Sequence, residues 1–535
     1  MKRITCLFFA LALMIGGMAQ IQIPGGPIKP PVPPVKQRQK PKPKARPKKA
    51  AQQKVKYYDV TFTSNVPDGD LYIDGDYVDN ANTNWTLKAG SHKVKVLTDY
   101  YNEYSSTINV SNSDKSFDLN LTEKTDAESQ FQLGVNYHEG RCGYPQDYTE
   151  AVKHFSIAAD RNHAEAMSWM GYCYKMGHGV TQNLPIAITW FNKAAELGEL
   201  SAQNNLGNCY QFGLGVTKDY AKAFEWFRMA AYQGHASAQN NLGFCYEEGV
   251  GVAQDYEEAM KWYLKAAEQG NATAQDNIAQ CYKRGRGVPQ SYTEAFKWHR
   301  MAAEQGSPLG QNNLATCYEN GVGVEKDYDM AIYWYTKAAE QGDAVALNNL
   351  GMCYYMGHGV PQSYFEATKR FYEAAKAGNA PAQYNLGHCF EFGLGAEKNY
   401  AAAVEWYRKA AEQDHAGGQN NLGNCYYSGK GVPQNYAEAF NWFMKSAEKG
   451  YTAAQLNLAN CYYQGNGVKK NKEEAAKWFH IAAEKGLAKA QYLYGYCYEK
   501  GEGVKKDKQE AVKWYRKAAG QGDTEAKAAL TRLGY

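Results

Sequence analysis

Apolar and polar positions along residues 201–236 follow a pattern that recurs every 36 residues, and the rest of the chain is organised around it. In Ser201-Ala202-Gln203-Asn204-Asn205-Leu206-Gly207-Asn208-Cys209-Tyr210, the positions Ala202, Leu206, Cys209 and Tyr210 return at spacings of three and four, the period of one helix face. Gly213 and Gly215 break that helix where positive φ is needed. A second stripe follows at Ala223, Trp226, Phe227, Ala230 and Ala231 and stops at Gly234. The pattern restarts at Ser237, Thr273, Leu309, Val345, Pro381, Gly417, Ala453 and Lys489, and upstream copies begin near Glu128 and Glu165. Residues 525–535 supply only a first half. Asp255-x-x-Glu258, Ser291-x-x-Glu294, Ser363-x-x-Glu366, Asn435-x-x-Glu438 and Asp507-x-x-Glu510 have capping-box spacing, which marks second-helix starts. Helices this short are not stable alone in water. Stacking must supply their stability. The predicted fold is therefore mainly α: residues 128–535 form an α/α superhelical solenoid of about eleven 36-residue helical hairpins.

Residues 57–122 change to period two. Residues 58–63, 71–73, 93–97, 107–110 and 117–121 alternate as strands, with a hairpin turn expected at Asp74-Gly75. A small β-sandwich thus precedes the solenoid. Upstream, Lys2-Arg3 and an apolar run before Gly17-Met18-Ala19 read as a signal peptide over residues 1–19. Its apolar run is too short for a membrane span of ~20 residues. Residues 20–56 are rich in proline and lysine and predict an extended, disordered linker.

The repeat unit resembles the SEL-one-like repeat (SLR), a relative of the tetratricopeptide repeat. The shared pattern is Ala-x-x-Asn-Leu-Gly-x-x-Tyr, Gly-x-Gly-Val, Tyr-x-x-Ala and Trp-Tyr/Phe-x-x-Ala-Ala. Departures are local: Ala279, Ala315 and Ala459 replace the helix glycine, Arg370 the tryptophan and Asp414 the terminal glycine. The run Pro67-Asp68-Gly69-Asp70, followed by Leu71-Tyr72-Ile73-Asp74-Gly75, resembles the PEGA domain, a small β-sandwich of exported bacterial proteins.

The repeat resemblance implies that first helices line a concave, partner-binding face. Asn205, Asn241, Asn277, Asn313, Asn349, Asn385, Asn421 and Asn457 occupy one position in eight consecutive copies. Related solenoids use an asparagine here to hold an extended peptide's backbone, and an amide can both donate and accept. The alternative is that these amides bond neighbouring helices and keep the stack in register. Gln132, Trp169 and Leu493 bound the ladder. Neighbouring positions vary as a reading surface would. They give a candidate groove of Trp169, Tyr172, Phe212, Phe244, Met352, Met356, His388 and Phe392, which suits a protein or peptide.

Charge adds a second candidate partner. Residues 1–56 hold 13 Lys and Arg and no acidic residue, leaving 46 basic against 55 acidic residues in the remainder. That basic tail is a candidate tether to an anionic envelope surface, the alternative being a solvated spacer. A nucleic-acid role does not suit a tail behind a signal peptide.

Ten cysteines, from Cys173 to Cys497, recur once per unit. Equivalent residues of stacked helices stand ~8–10 Å apart. A disulfide needs Cα atoms within ~7 Å, so these are expected to be buried thiols. Cys142, in the irregular first turn, is the thiol expected to react. No His-x-x-x-His or Cys-x-x-Cys pair suggests a metal, no motif suggests a cofactor, and the Gly-x-Gly turns lack the strand and third glycine of a phosphate cradle. Ser446-x-x-Lys449 fits a short penicillin-recognising motif but sits late in a second helix. The expectation is a non-enzymatic, exported scaffold for a protein or peptide. The alternatives are an envelope or glycan adhesin led by tail and sandwich, and an enzyme acting on cell-wall peptide or β-lactam.

Overall fold

The computed structural model describes residues 57–111 and 116–535. The signal peptide and linker expected over residues 1–56 lie outside the described residues. The described chain divides into two compact units, residues 57–274 with 286–288, and residues 275–285 with 289–535.

The first unit opens with two small sheets. Strands β1 (Tyr57–Ser64), β4 (Thr83–Lys88) and β7 (Ser116–Leu119) form one, in the order β4-β1-β7. Strands β2 (Asp70–Ile73), β3 (Asp76–Asn80), β5 (Gly90–Leu97) and β6 (Tyr104–Val110) form the other, in the order β3-β2-β5-β6. Only β1 and β7 pair in parallel. Alternate residues meet between the sheets, among them Val60, Phe62, Leu71, Ile73, Val94 and Val96, all buried. Asp74 and Gly75 both have positive φ, 53° and 89°, which gives β2 and β3 the tight hairpin that Asp-Gly favours. Strands β3 and β4 were not expected. Each buries only one or two side chains, Val78 in β3 and Trp85 and Leu87 in β4, amid polar residues that mask the period of two.

This sandwich shares its core with the first helical hairpin. Leu133 and Tyr144 pack in the same cluster as the sandwich residues. Tyr144 donates to Asp68 Oδ1 at 3.4 Å, and Gly143 lies against Pro67, in the stretch that resembles the PEGA motif. Burial raises the Asp68 carboxyl pKa.

From Ala127 onward both units are helical hairpins. A first helix such as Leu200–Phe212 ends on a left-handed glycine, Gly213, whose N–H bonds Cys209. A second helix such as Tyr220–Tyr232 begins at a side-chain cap, here Asp219 accepting from Lys222 N–H. All five predicted capping-box residues serve as N-caps. In eight of the hairpins the helices approach closely because a glycine faces a ring, while Ala279, Ala315 and Ala459 stand there in the others: a Cβ on Gly243 would lie 2.7 Å from Tyr263.

An amide pair closes most hairpins at the far end. Gln269 donates to Gln239 at 2.7 Å in the first unit, and Gln305, Gln341, Gln413 and Gln521 repeat the bond in the second. Gln341 and Gln521 also reach the carbonyls of Gly306 and Gly486 in the preceding hairpin.

The first-helix wall as candidate functional site

The eight ladder asparagines all stand on first helices, and five donate to the preceding repeat. Asn241 bonds Asn204 Oδ1 at 2.9 Å in the first unit. In the second, Asn349, Asn385 and Asn457 bond Asn312, Asn348 and Asn420 at 2.9–3.0 Å, and Asn313 meets Asp276 at 3.5 Å. Asn421 accepts from its neighbour Asn420 at 3.1 Å. Asn277 is half-buried. Asn205 is wholly buried, and neither atom of its amide has a partner. The amides thus join successive hairpins, while Asn277, Asn313, Asn349, Asn421 and Asn457 keep part of their surface in solvent.

The candidate groove separates into two sets. Trp169 is wholly buried against Phe155, with ring centroids 5.4 Å apart, so it presents no surface. Tyr172, Phe244 and His388 are also buried, and burial holds the His388 imidazole down to about 4. Phe212, Met352 and Met356 are half-buried, and Phe392 is 52 % exposed. In the second unit the His388 and Phe392 rings meet, tilted by 39°, with centroids 4.6 Å apart, and Met352 Sδ lies 3.7 Å from Asn385 Nδ2. An apolar surface of Met352, Met356 and Phe392 therefore adjoins the ladder.

A further set of residues on this wall was not singled out in the sequence. Tyr263 donates to Glu247 at 2.8 Å, Tyr335 to Glu319 at 2.8 Å, Tyr407 to Glu391 at 2.7 Å and Tyr515 to Glu499 at 2.8 Å. At Phe371, Phe443 and Phe479 the tyrosine is replaced by phenylalanine and the glutamate by a tyrosine that packs on the ring: Tyr355, Tyr427 and Tyr463. The central residue of the next Gly-x-Gly turn reaches this pair in some repeats. Arg286 bonds Glu247 at 3.0 Å and lies over Tyr256, whereas Asn466 bonds the Tyr427 hydroxyl at 2.8 Å. His358 packs at a tilt against Tyr328, and Lys430 lies over Tyr400. The signal in the sequence is a 72-residue spacing: Glu247, Glu319 and Glu391 with Tyr263, Tyr335 and Tyr407, and with Arg286, His358 and Lys430.

The groups considered for chemistry are structural. Ser446 is buried and donates to the Ala416 carbonyl at 2.8 Å, while Lys449 pairs with Asp414 at 2.6 Å. The ten repeat cysteines are buried and free, and burial pushes Cys173, Cys245 and Cys497 up to about 12. Cys142 is half-buried beside the sandwich, and burial raises its thiol too, which disfavours the reactive thiolate expected there. Among the described residues no group of three or more His, Cys, Asp or Glu is arranged to hold a metal ion, and no helix is long and apolar enough to cross a membrane.

Sel1 repeats match eleven times in succession, from residues 127–163 to 488–523. The chain belongs to the Sel1 repeat family. A PEGA domain matches residues 57–126. Among solved structures, this Sel1 repeat protein is similar to c5321, a protective antigen present in uropathogenic Escherichia coli strains and displaying an SLR fold. The two are 37 % identical over 76 % of this chain and 87 % of that one, with a TM-score of 0.51. It is also similar to a Sel1 repeat protein from Oxalobacter formigenes, 32 % identical over 58 % of this chain and 89 % of that one, with a TM-score of 0.43. No protein of curated function matches.

Proposed function

We propose that this Sel1 repeat protein is an exported, non-enzymatic scaffold that binds a protein or an extended peptide along the face of its first helices. The observation that carries this reading is the apolar surface of Met352, Met356 and Phe392, beside half-buried ladder amides that can still donate and accept. Large apolar side chains left in solvent next to hydrogen-bonding groups suit an extended chain, whose backbone needs polar partners and whose side chains need apolar ones. Export is supported by the N-terminal leader pattern and by the PEGA match.

A photo-crosslinking residue placed at 356 or 392 in the native cell tests the proposal. Polypeptide adducts are expected at both, and absent from Tyr372, a second-helix residue that is also exposed. Equal labelling at all three positions would remove the first-helix face from the proposal. The basic run of residues 36–56 supports a secondary attachment to an anionic envelope surface. Sedimentation with insoluble peptidoglycan should then fall when residues 20–56 are deleted, and should weaken with added salt.

A further inference from the structure

The asparagine ladder is broken between the second and third repeats. Asn241, Asn349, Asn385 and Asn457 donate to an asparagine 37 residues back, and Asn313 to an aspartate there. For Asn205 that position is Ser168, whose Oγ sits on Cβ and stops short of where an amide oxygen would lie. Ser168 Oγ and both polar atoms of the Asn205 amide are consequently buried without a hydrogen-bond partner.

A second unpaired set adjoins this gap. At the end of the chain, Arg532 reaches Glu499, 33 residues back, at 2.7 and 2.8 Å. The aligned residues of the third and second repeats are Asn208 and Lys175. Here the two do not bond: Asn208 Oδ1 and Lys175 Nζ are both buried and unpartnered, as is Asn204 Nδ2. Asn208 Nδ2 is held by the Asn204 carbonyl at 3.2 Å. Lys175 is 4 % exposed, and Asn204, Asn205, Asn208 and Ser168 are wholly buried.

A buried ammonium with no counter-ion is among the costliest groups a fold can hold. Buried polar atoms are ordinarily paired. Lys175 breaks both rules and the four neutral residues break the second, and together, on facing helices, they call for an occupant. The donors are three ammonium hydrogens, two amide groups and a hydroxyl, while the acceptors are the Asn205 and Asn208 carbonyl oxygens. This matches a carboxylate attached to a peptide backbone: an anion to take the donors, with a nearby N–H to give to an acceptor. Met176 and Phe212 are half-buried on the same two helices.

We propose that Lys175, Asn204, Asn205, Asn208 and Ser168 form a receptor for a carboxylate carried on an extended peptide. Lys175 takes its charge, and the amide and hydroxyl hydrogens take its oxygens. The proposal rests on the reading of the first-helix face as a peptide-binding face, and names the chemistry recognised at one end of it. Burial also lowers the Lys175 pKa, as expected of an ammonium awaiting an anion.

The test uses the immobilised full chain and one randomised hexapeptide pool in three forms. One form has free C-terminal carboxylates. A second is amidated at the C-terminus but keeps Asp and Glu. A third is amidated and lacks Asp and Glu. The third form should be retained at least tenfold less than the better of the other two, whose ranking identifies a terminal or a side-chain carboxylate as the ligand. Lys175→Met should remove that difference while raising the unfolding temperature, because an unpaired buried charge has gone. Asn205→Ala provides a second variant and should also lower retention of the carboxylate forms. Equal retention of all three pools, or unchanged retention by both variants, would overturn the receptor and leave the peptide-binding face standing. Retention of no pool above blank resin would remove both.

Discussion

His163, His235 and His415 act as N-caps, each accepting through Nδ1 from a backbone N–H three residues on, a role usually filled by Ser, Thr, Asp or Asn. Only the neutral ring can accept there. Burial holds His235 and His415 down to about 4, from an ordinary 6.5. A histidine whose folded pKa is depressed contributes stability that is full above its unfolded pKa and lost as pH falls through the folded one. Unfolding temperature should therefore decline between pH 6.5 and 4. The double variant His235→Asn, His415→Asn keeps both caps and should decline less, retaining about 1 to 2 kcal/mol more stability at pH 4.5. The buried cysteines give a second residue-scale expectation. At pH 8 a disulfide-exchange reagent should leave the ten repeat thiols unmodified in the native protein and label them all in denaturant, since all ten are buried away from the reagent, and burial raises thiols such as Cys173, Cys245 and Cys497 to about 12. Labelling of several in the native state would mean that the hairpins open readily. The burial of these cysteines was legible from their once-per-unit spacing. That the ladder amides could bond neighbouring helices was legible too, but not which of them do. Whether an amide meets a neighbour or solvent depends on helix separation, which is set by the glycine-to-ring contact and not by the spacing of asparagines.

The two turn glycines of a hairpin are equivalent in sequence but differ in what surrounds them. Gly249 caps its helix at φ 70°, and an added Cβ would find its nearest neighbour, Gln254 Cβ, at 3.5 Å. Gly251 has a similar φ of 74°, but an added Cβ would run into the backbone carbonyl of Tyr220, the first residue of the preceding hairpin's second helix. Gly249→Ala should cost about 1 to 2 kcal/mol, the strain of a left-handed non-glycine residue. Gly251→Ala adds a backbone clash that no rotamer relieves, and should cost more than about 3 kcal/mol by denaturant unfolding. Hydrogen exchange should then show added opening in both hairpins that flank the turn. Equal losses for the two variants would show that the contact with Tyr220 yields easily. The sequence announces both glycines as a turn. It does not announce the collision, because the colliding atom lies in the preceding repeat. Strand β4 was hidden for a related reason: Trp85 and Leu87 point inward between threonines and asparagines whose outward faces carry no period of their own.

Across the whole molecule, a period of 36 residues is enough to read the architecture, since each hairpin buries its apolar stripes against a like neighbour. The place of the sandwich was not readable. Its union with the first hairpin rests on Leu133 and Tyr144, residues that look like any others of the helical pattern. The unpaired Lys175 was equally hidden, because in the sequence it passes for ordinary variation at one repeat position. The longer, 72-residue rhythm went unread because each of its members is unremarkable alone and has meaning only beside its partner.

That doubled rhythm sets the length in which the protein can be cut and rejoined. Removing residues 308–379 brings Leu394 to the position Val322 held beside Lys283, one aliphatic side chain for another. Removing residues 344–379 alone would instead put Leu394 in the turn position that His358 holds after Glu319, exchanging a polar side chain for an aliphatic one and leaving Tyr335 as that carboxylate's partner. The shorter excision should yield the less stable product by thermal unfolding, even though it discards half as much protein. Within residues 247–430, where the alternation runs, genetic shuffling would then favour even numbers of hairpins, gained or shed as couples.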